Sequence, residues 1–196
     1  KTITLSGNTD CYQPAEREFE ITRKILKLCL DYRHPVSILT KNALVLRDLD
    51  ILKPLSEQNL VSVSFSIPTI NEEIRRKMEP RTSSVKNKLK AIEILTEHQI
   101  PVGVMVAPVI PGLTSDESLT ILKTFSEAGA QKFGYVLVRL NDTVEPVFIN
   151  WINANFPDRA EKVLNLIRSM RGGKLGYKRF HERYKGEGNI ADMIHE

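Results

Sequence analysis

Cysteine is scarce in this chain: 196 residues hold only Cys11 and Cys29. The two form no C-x-x-C pair, so neither a disulfide framework nor a thiolate metal site of ordinary spacing is encoded. No apolar run approaches the roughly 20 residues needed to span a bilayer. That excludes a transmembrane helix, so no membrane partner is expected and cytoplasmic residence is the default. Dinucleotide fingerprint and phosphate-binding P-loop are both missing, and Ser6-Gly7-Asn8 makes neither. There is no serine-elbow motif. The four histidines, His34, His98, His181 and His195, are scattered and form no metal motif. An initiator methionine is also absent. The chain opens on Lys1 and runs at once into a strand, so we expect it to be part of a longer protein with a segment upstream. These absences remove every obvious nucleophile, metal site and acid–base pair, and reactive machinery is expected from outside the segment.

What remains is ordinary for a globular protein. Apolar residues make up 41% and charged residues 27% of the chain, a usual balance for a packed domain of this size. The net charge of +4 is uneven. Residues 168–188 contain seven Lys or Arg and two Glu, so the basicity belongs to the C-terminal segment.

Short apolar runs alternate with helical periodicity five times. Strands are expected at Ile3–Leu5, Val36–Thr40, Leu60–Ser66, Val102–Val109 and Phe133–Leu140. Helices are expected through Phe19–Tyr32, Leu44–Leu55, Asn71–Lys77, from Val85 through Leu95 with Ser83 or Ser84 as cap, and over Ser115–Ala128, Val144–Asn155 and Pro157–Met170. Near-continuous apolar strands separated by helices predict an α/β fold with a mainly parallel sheet. Five βα units are too few to close an eight-stranded barrel, so the sheet is open or lacks strands. Residues 1–171 form the compact domain and residues 172–196 a basic tail.

Four of the five strands end in polar residues. The first leads into Ser6-Gly7-Asn8-Thr9-Asp10, the second into Thr40-Lys41-Asn42, and the third carries Ser64 and Ser66. The fourth stays apolar through Val106 and turns at Pro108, and the fifth ends at Arg139. In a parallel α/β sheet such ends share one edge, where ligands bind. A cation at the top of a strand needs a counter-charge. For Lys41 and Arg139 that is either a nearby carboxylate, Asp10 being the obvious one, or an anionic ligand. Cys11 reads as a small, partly buried side chain and Cys29 as part of a helix core.

Residues Ser6 to Pro14, Ile38-Leu39-Thr40-Lys41, Val63-Ser64-Phe65-Ser66, Glu79-Pro80-Arg81, Val104 to Gly112 and Ser169 to Lys174 together resemble radical S-adenosylmethionine proteins related to spore photoproduct lyase. That family is often labelled DNA repair photolyase-like. The similarity covers essentially the whole chain and keeps the motifs in order. It implies a partial βα barrel of the radical SAM type, of which this chain supplies units two to six of six. It implies a lyase-like or repair-like enzyme that cleaves S-adenosylmethionine reductively to a 5′-deoxyadenosyl radical, on a substrate the sequence does not identify. It also implies a four-iron, four-sulfur cluster held by a cysteine loop in the first unit. That loop is absent here, so this chain is not expected to ligate the cluster or to be active alone, and the missing N-terminal segment of the same protein is its expected partner. By the same resemblance, Ser6, Gly7, Asn8, Thr9 and Asp10 contact the methionine amino group, and Lys41 or Arg81 pairs with its carboxylate. Ser64 and Ser66 lie near the ribose, and Val106 and Pro108 flank the adenine.

Two other functions stay open at this point. The basic segment interleaves Arg171, Lys174, Lys178, Arg179 and Arg183 with Tyr177, Phe180 and Tyr184, a composition that suits nucleic acid, so a non-catalytic nucleic-acid-binding module is one alternative. A βα enzyme for a phosphorylated metabolite, with its anion at Lys41 or Arg139, is the other.

Overall fold

The structure is a computed structural model that describes residues 1–141, 143–176 and 192. Five strands alternate with helices: β1 (Ile3–Leu5), β2 (Val36–Thr40), β3 (Val61–Ser66), β4 (Val102–Val109) and β5 (Lys132–Leu137). They follow one another across a single sheet in the order β1-β2-β3-β4-β5. The β1–β2, β2–β3 and β3–β4 ladders are parallel. Each strand lies beside its predecessor, the winding of a barrel and not of a doubly wound sheet, whose strand order reverses.

Between β1 and β2 one continuous helix was expected, and two form: α1 (Glu16–Phe19) and α2 (Ile21–Asp31). The break is at Glu20, whose φ of 49° is left-handed. Its cause lies one turn back. The buried Glu16 carboxylate accepts hydrogen bonds from the Thr22 and Arg23 amides at 3.0 and 3.3 Å. It thereby caps amides that the start of α2 leaves without intrahelical partners. After β2 the chain makes a 3₁₀ turn over Ala43–Asp48 and then α3 (Leu49–Glu57). The junction falls on Asp48, a buried carboxylate held by Tyr12, Arg23 and Arg47. Next come α4 (Glu72–Met78) and α5 (Val85–Glu97), and the Ser84 hydroxyl caps α5 by accepting from the Asn87 amide. Between β4 and β5 runs α6 (Ser118–Glu127).

By compactness the chain divides into two units: Lys1–Met105 with Thr120–Gly134, and Val106–Leu119 with the segment from Tyr135 onward. In the first, β2, β3 and the first part of β4 present alternate faces. Val36, Ile38, Val61, Val63, Phe65, Val102 and Val104 are buried on one side. Ser37, Ser62 and Ser64 point the other way and are only partly covered. Ser64 pairs in register with Gly103, and a Cβ there would come within 2.9 Å of the Ser64 hydroxyl. The second face thus mixes the small and polar Ser37, Ser62, Ser64 and Gly103 with the larger Leu39 and Met105.

In the second unit α7 (Glu145–Asn155) packs on α8 (Pro157–Ser169). Trp151 lies between Phe148, tilted against it at 5.6 Å, and Phe156, edge-on at 5.5 Å. Expected to reach Leu140, β5 instead stops at Leu137, and Leu140 forms an isolated bridge with Gly176. Among the described residues, no helix is long and apolar enough to cross a membrane.

Candidate functional site

The site is built from where β1, β2 and β3 end. Beyond Leu5 the chain must leave the sheet, and Ser6 turns it with a left-handed φ of 77°. That conformation costs a non-glycine residue roughly 1 kcal/mol. It is offset locally, because the Ser6 hydroxyl accepts the Cys11 amide at 2.7 Å. The turn presents Gly7, Asn8 and Thr9 to solvent. A Cβ on Gly7 would meet nothing within 4 Å. The Asn8 and Thr9 side chains make no hydrogen bond among the described residues. These groups line a cavity of about 310 Å³ together with Cys11, Phe19 and Ile25.

Asp10 is used differently. Its carboxylate accepts the Tyr12 amide at 2.9 Å, the Thr40 hydroxyl at 2.7 Å and the Lys41 amide at 2.7 Å. It fastens the β1 turn to the end of β2, and most of its acceptor capacity is already committed. Behind it, Tyr12 is buried and donates its phenol to Asp48 at 2.9 Å. Burial and the Asp48 charge raise the Tyr12 phenol well above its ordinary range.

Lys41 pairs with a carboxylate, but not with the one its place in the sequence suggested. Asp10 takes its backbone amide, and its ammonium lies against the Glu79 carboxylate. The loop that carries Glu79 and Arg81 is pinned beside it, because the Ser83 amide donates to the Lys41 carbonyl at 3.2 Å. Arg81 itself is exposed. Ser66 is buried, and its carbonyl accepts the Lys88 ammonium at 3.1 Å. Ser64 sits half-buried on the second face of the sheet. These residues all belong to the first unit. Val106, buried, and Pro108, partly exposed, lie on the later half of β4 in the second. Of the basic segment, Lys178, Arg179 and Arg183 fall outside the described residues. Arg171 is not presented to a phosphate: it is buried, and its guanidinium donates to the Val138 carbonyl.

Sequence reasoning passed over Lys88 and Arg75, and named Glu79 only within a motif, without a role. Lys88 is 1% exposed, and Glu79 lies 3.9 Å from it as well as against Lys41. Burial, opposed by the Glu79 charge, pushes the Lys88 ammonium down to about 8. The buried Arg75 donates to the Glu79 and Thr82 carbonyls, both at 3.1 Å, and to Glu72 at 2.8 Å. A signal for Lys88 existed. It falls on the buried stripe of α5 with Ala91, Ile92 and Leu95, where a lysine is out of place unless something receives its charge.

Burial raises the Cys11 thiol to about 11 and also raises Cys29. No group of three or more His, Cys, Asp or Glu that could hold a metal occurs among the described residues. Those residues thus offer no ready-made set of cluster ligands. For an amino-acid-bearing nucleoside, the β1 turn offers uncommitted oxygens at Asn8 and Thr9, whereas Lys41, Arg81 and Ser64 do not line the cavity beside that turn.

A parallel sheet whose strands follow one another in chain order defines an α/β protein of the βα-barrel class. Within that class the chain belongs to the Radical SAM superfamily, whose family model matches residues 1–125. It is 30% identical over 91% of its length to an uncharacterized protein of Methanocaldococcus jannaschii, and spans 62% of that relative. With an uncharacterized protein of Mycobacterium tuberculosis it shares 31% identity over 86% of its length, spanning 50% of that protein. The chain thus spans about half the length of the curated relatives it matches, from 46% to 62%. Among solved structures, a spore photoproduct lyase mutant with a dinucleoside spore photoproduct superposes with a TM-score of 0.61 at 17% identity. That match covers 80% of this chain and 46% of the other. It is a likeness of fold: the partial barrel expected from the sequence is the one found.

Proposed function

We propose that this chain is the C-terminal part of a radical S-adenosylmethionine enzyme and carries the strand-end rim that binds S-adenosylmethionine. The observation that carries the reading is the Gly7–Thr9 turn. There, polar groups without partners among the described residues meet solvent beside a paired, partly exposed Lys41. When bound, S-adenosylmethionine supplies a 5′-deoxyadenosyl radical on reductive cleavage. The chain's own residues bind and orient it. The Asn8 and Thr9 oxygens, with the backbone of Ser6 and Gly7, accept from the methionine ammonium, and Asp10 holds that turn in place. Lys41 pairs with the methionine carboxylate, and Arg81 closes from the neighbouring loop with a guanidinium suited to two parallel hydrogen bonds. Ser64 and Ser66 flank the ribose. The adenine contacts assigned to Val106 and Pro108 rest on the family resemblance alone.

The thiolates must come from another segment, and the surface around β1 supports one docking there. Among the described residues β1 is an edge strand, paired with β2 alone. Beside it Ile3, Phe19, Ile21 and Leu28 are 42%, 55%, 58% and 57% exposed. An open strand edge flanked by large apolar side chains is what a further βα unit would cover. The test uses the full-length protein, reconstituted with iron and sulfide without air and then reduced. Formation of 5′-deoxyadenosine supports the reading, and a full-length sample that takes up no cluster overturns it.

A further inference from the structure

The Glu79 carboxylate is shared, and the sharing is lopsided. One oxygen, Oε1, is taken by the Lys41 ammonium. The other, Oε2, is buried and has no hydrogen-bond partner among the described residues, although Lys88 Nζ is 3.9 Å away. A buried carboxylate oxygen left without a donor is costly. Lys88 is in turn spent on a neutral acceptor, the Ser66 carbonyl. The groups around its ammonium are Glu79, Lys41, Arg75 and Asp10. Arg75 is already committed to Glu72 and to the Glu79 and Thr82 carbonyls, and Asp10 to Tyr12, Thr40 and Lys41. Only the Lys41–Glu79–Lys88 arrangement can therefore change partners at little cost. Lys41 is its solvent-accessible member: its side chain is 34% exposed, against 1% for Lys88 and 8% for Glu79.

We infer that Glu79 is a hand-over carboxylate, releasing Lys41 to an anionic ligand group at the strand-end rim and passing to Lys88, which is a positioning residue for that binding step. The inference rests on the ligand reading above. A lysine that left Glu79 with no replacement would strand a buried anion, which is strongly unfavourable. With Lys88 beneath it, the anion gains a full partner as it loses the other. The exchange carries a proton signature. Lys88 loses a like charge from its surroundings and gains sole use of Glu79, so it holds its proton more tightly in the bound state. Above about pH 8, where part of the free protein carries a neutral Lys88, binding takes up a fraction of a proton from solvent to form the ammonium. The bound state then holds more protons, so affinity falls as pH rises through this window.

Lysine side-chain ¹⁵N NMR on the protein reads this directly by following the Lys88 titration. In the free protein the midpoint lies near 8. Saturation with S-adenosylmethionine raises it by a unit or more. Lys41→Met raises it without any ligand, and ligand then moves it no further. Glu79→Gln lowers it, and supplies the same test should Lys41→Met not fold. S-adenosylmethionine that binds while the Lys88 midpoint stays fixed overturns the hand-over, as does a Lys41→Met protein with an unshifted Lys88. If Lys41→Met shifts Lys88 but S-adenosylmethionine produces no saturable change anywhere, the shared carboxylate stands, while the hand-over to a ligand falls together with the proposed function.

Discussion

The strand ends of the first unit use similar polar residues in opposite ways. After β1, Gly7, Asn8 and Thr9 are exposed, and the two side chains are uncommitted among the described residues. After β2 and β3, Thr40 and Glu79 are buried and, with Lys41, bonded to other protein groups. Asp10 marks the border: it follows the open turn in sequence but belongs to the knot, with three protein donors on its carboxylate. The contrast teaches that residue type at a strand end does not decide between scaffold and site. Partners within the fold decide it, and the groups left over are the ones a ligand can use.

Removing the knot's centre should have the largest effect. Asp10→Ala leaves the Thr40 hydroxyl and two amides without their acceptor, and we expect a loss of about 2–4 kcal/mol, measured by urea unfolding. A change below about 0.5 kcal/mol would erase the distinction between the two rims. Lys88 gives the next effect. Its ammonium titrates near 8 in the folded chain against 10.5 ordinarily, so between those values the unfolded chain binds more protons and stability rises with pH. The slope reaches at most about 1.4 kcal/mol per pH unit. Lys88→Met should flatten it, as stability curves from pH 8 to 10.5 would reveal. The smallest effect sharpens the comparison from the other side. Asn8→Ala and Thr9→Ala should unfold within about 0.5 kcal/mol of the parent, yet weaken S-adenosylmethionine binding at least several-fold in a calorimetric titration. Equal binding would return both residues to ordinary surface.

Much of the fold was legible because the strands are buried apolar runs of the right length, and β2 and β4 have the bounds their sequence suggests. The helix breaks were not legible, since they depend on side chains acting at a distance in the chain. Glu16 caps α2 from the preceding helix, and Asp48 is fixed by Tyr12, 36 residues earlier. The site was legible in outline, as polar residues following apolar strands. The partner of Lys41 was not. Glu79 lies 38 positions away in a loop whose course is set by Arg75 and Ser83, and nothing local to Lys41 announces it. Lys88 could have been found, because a lysine on the apolar stripe of a helix contradicts its surroundings unless a charge waits inside.

Amide hydrogen exchange of the full-length protein with and without S-adenosylmethionine addresses the central claim most directly. The account predicts slower exchange over residues 6–10, around Lys41 and across the loop from Glu79 to Ser83. Ligand that binds and leaves all three segments unchanged, with protection elsewhere, would contradict it.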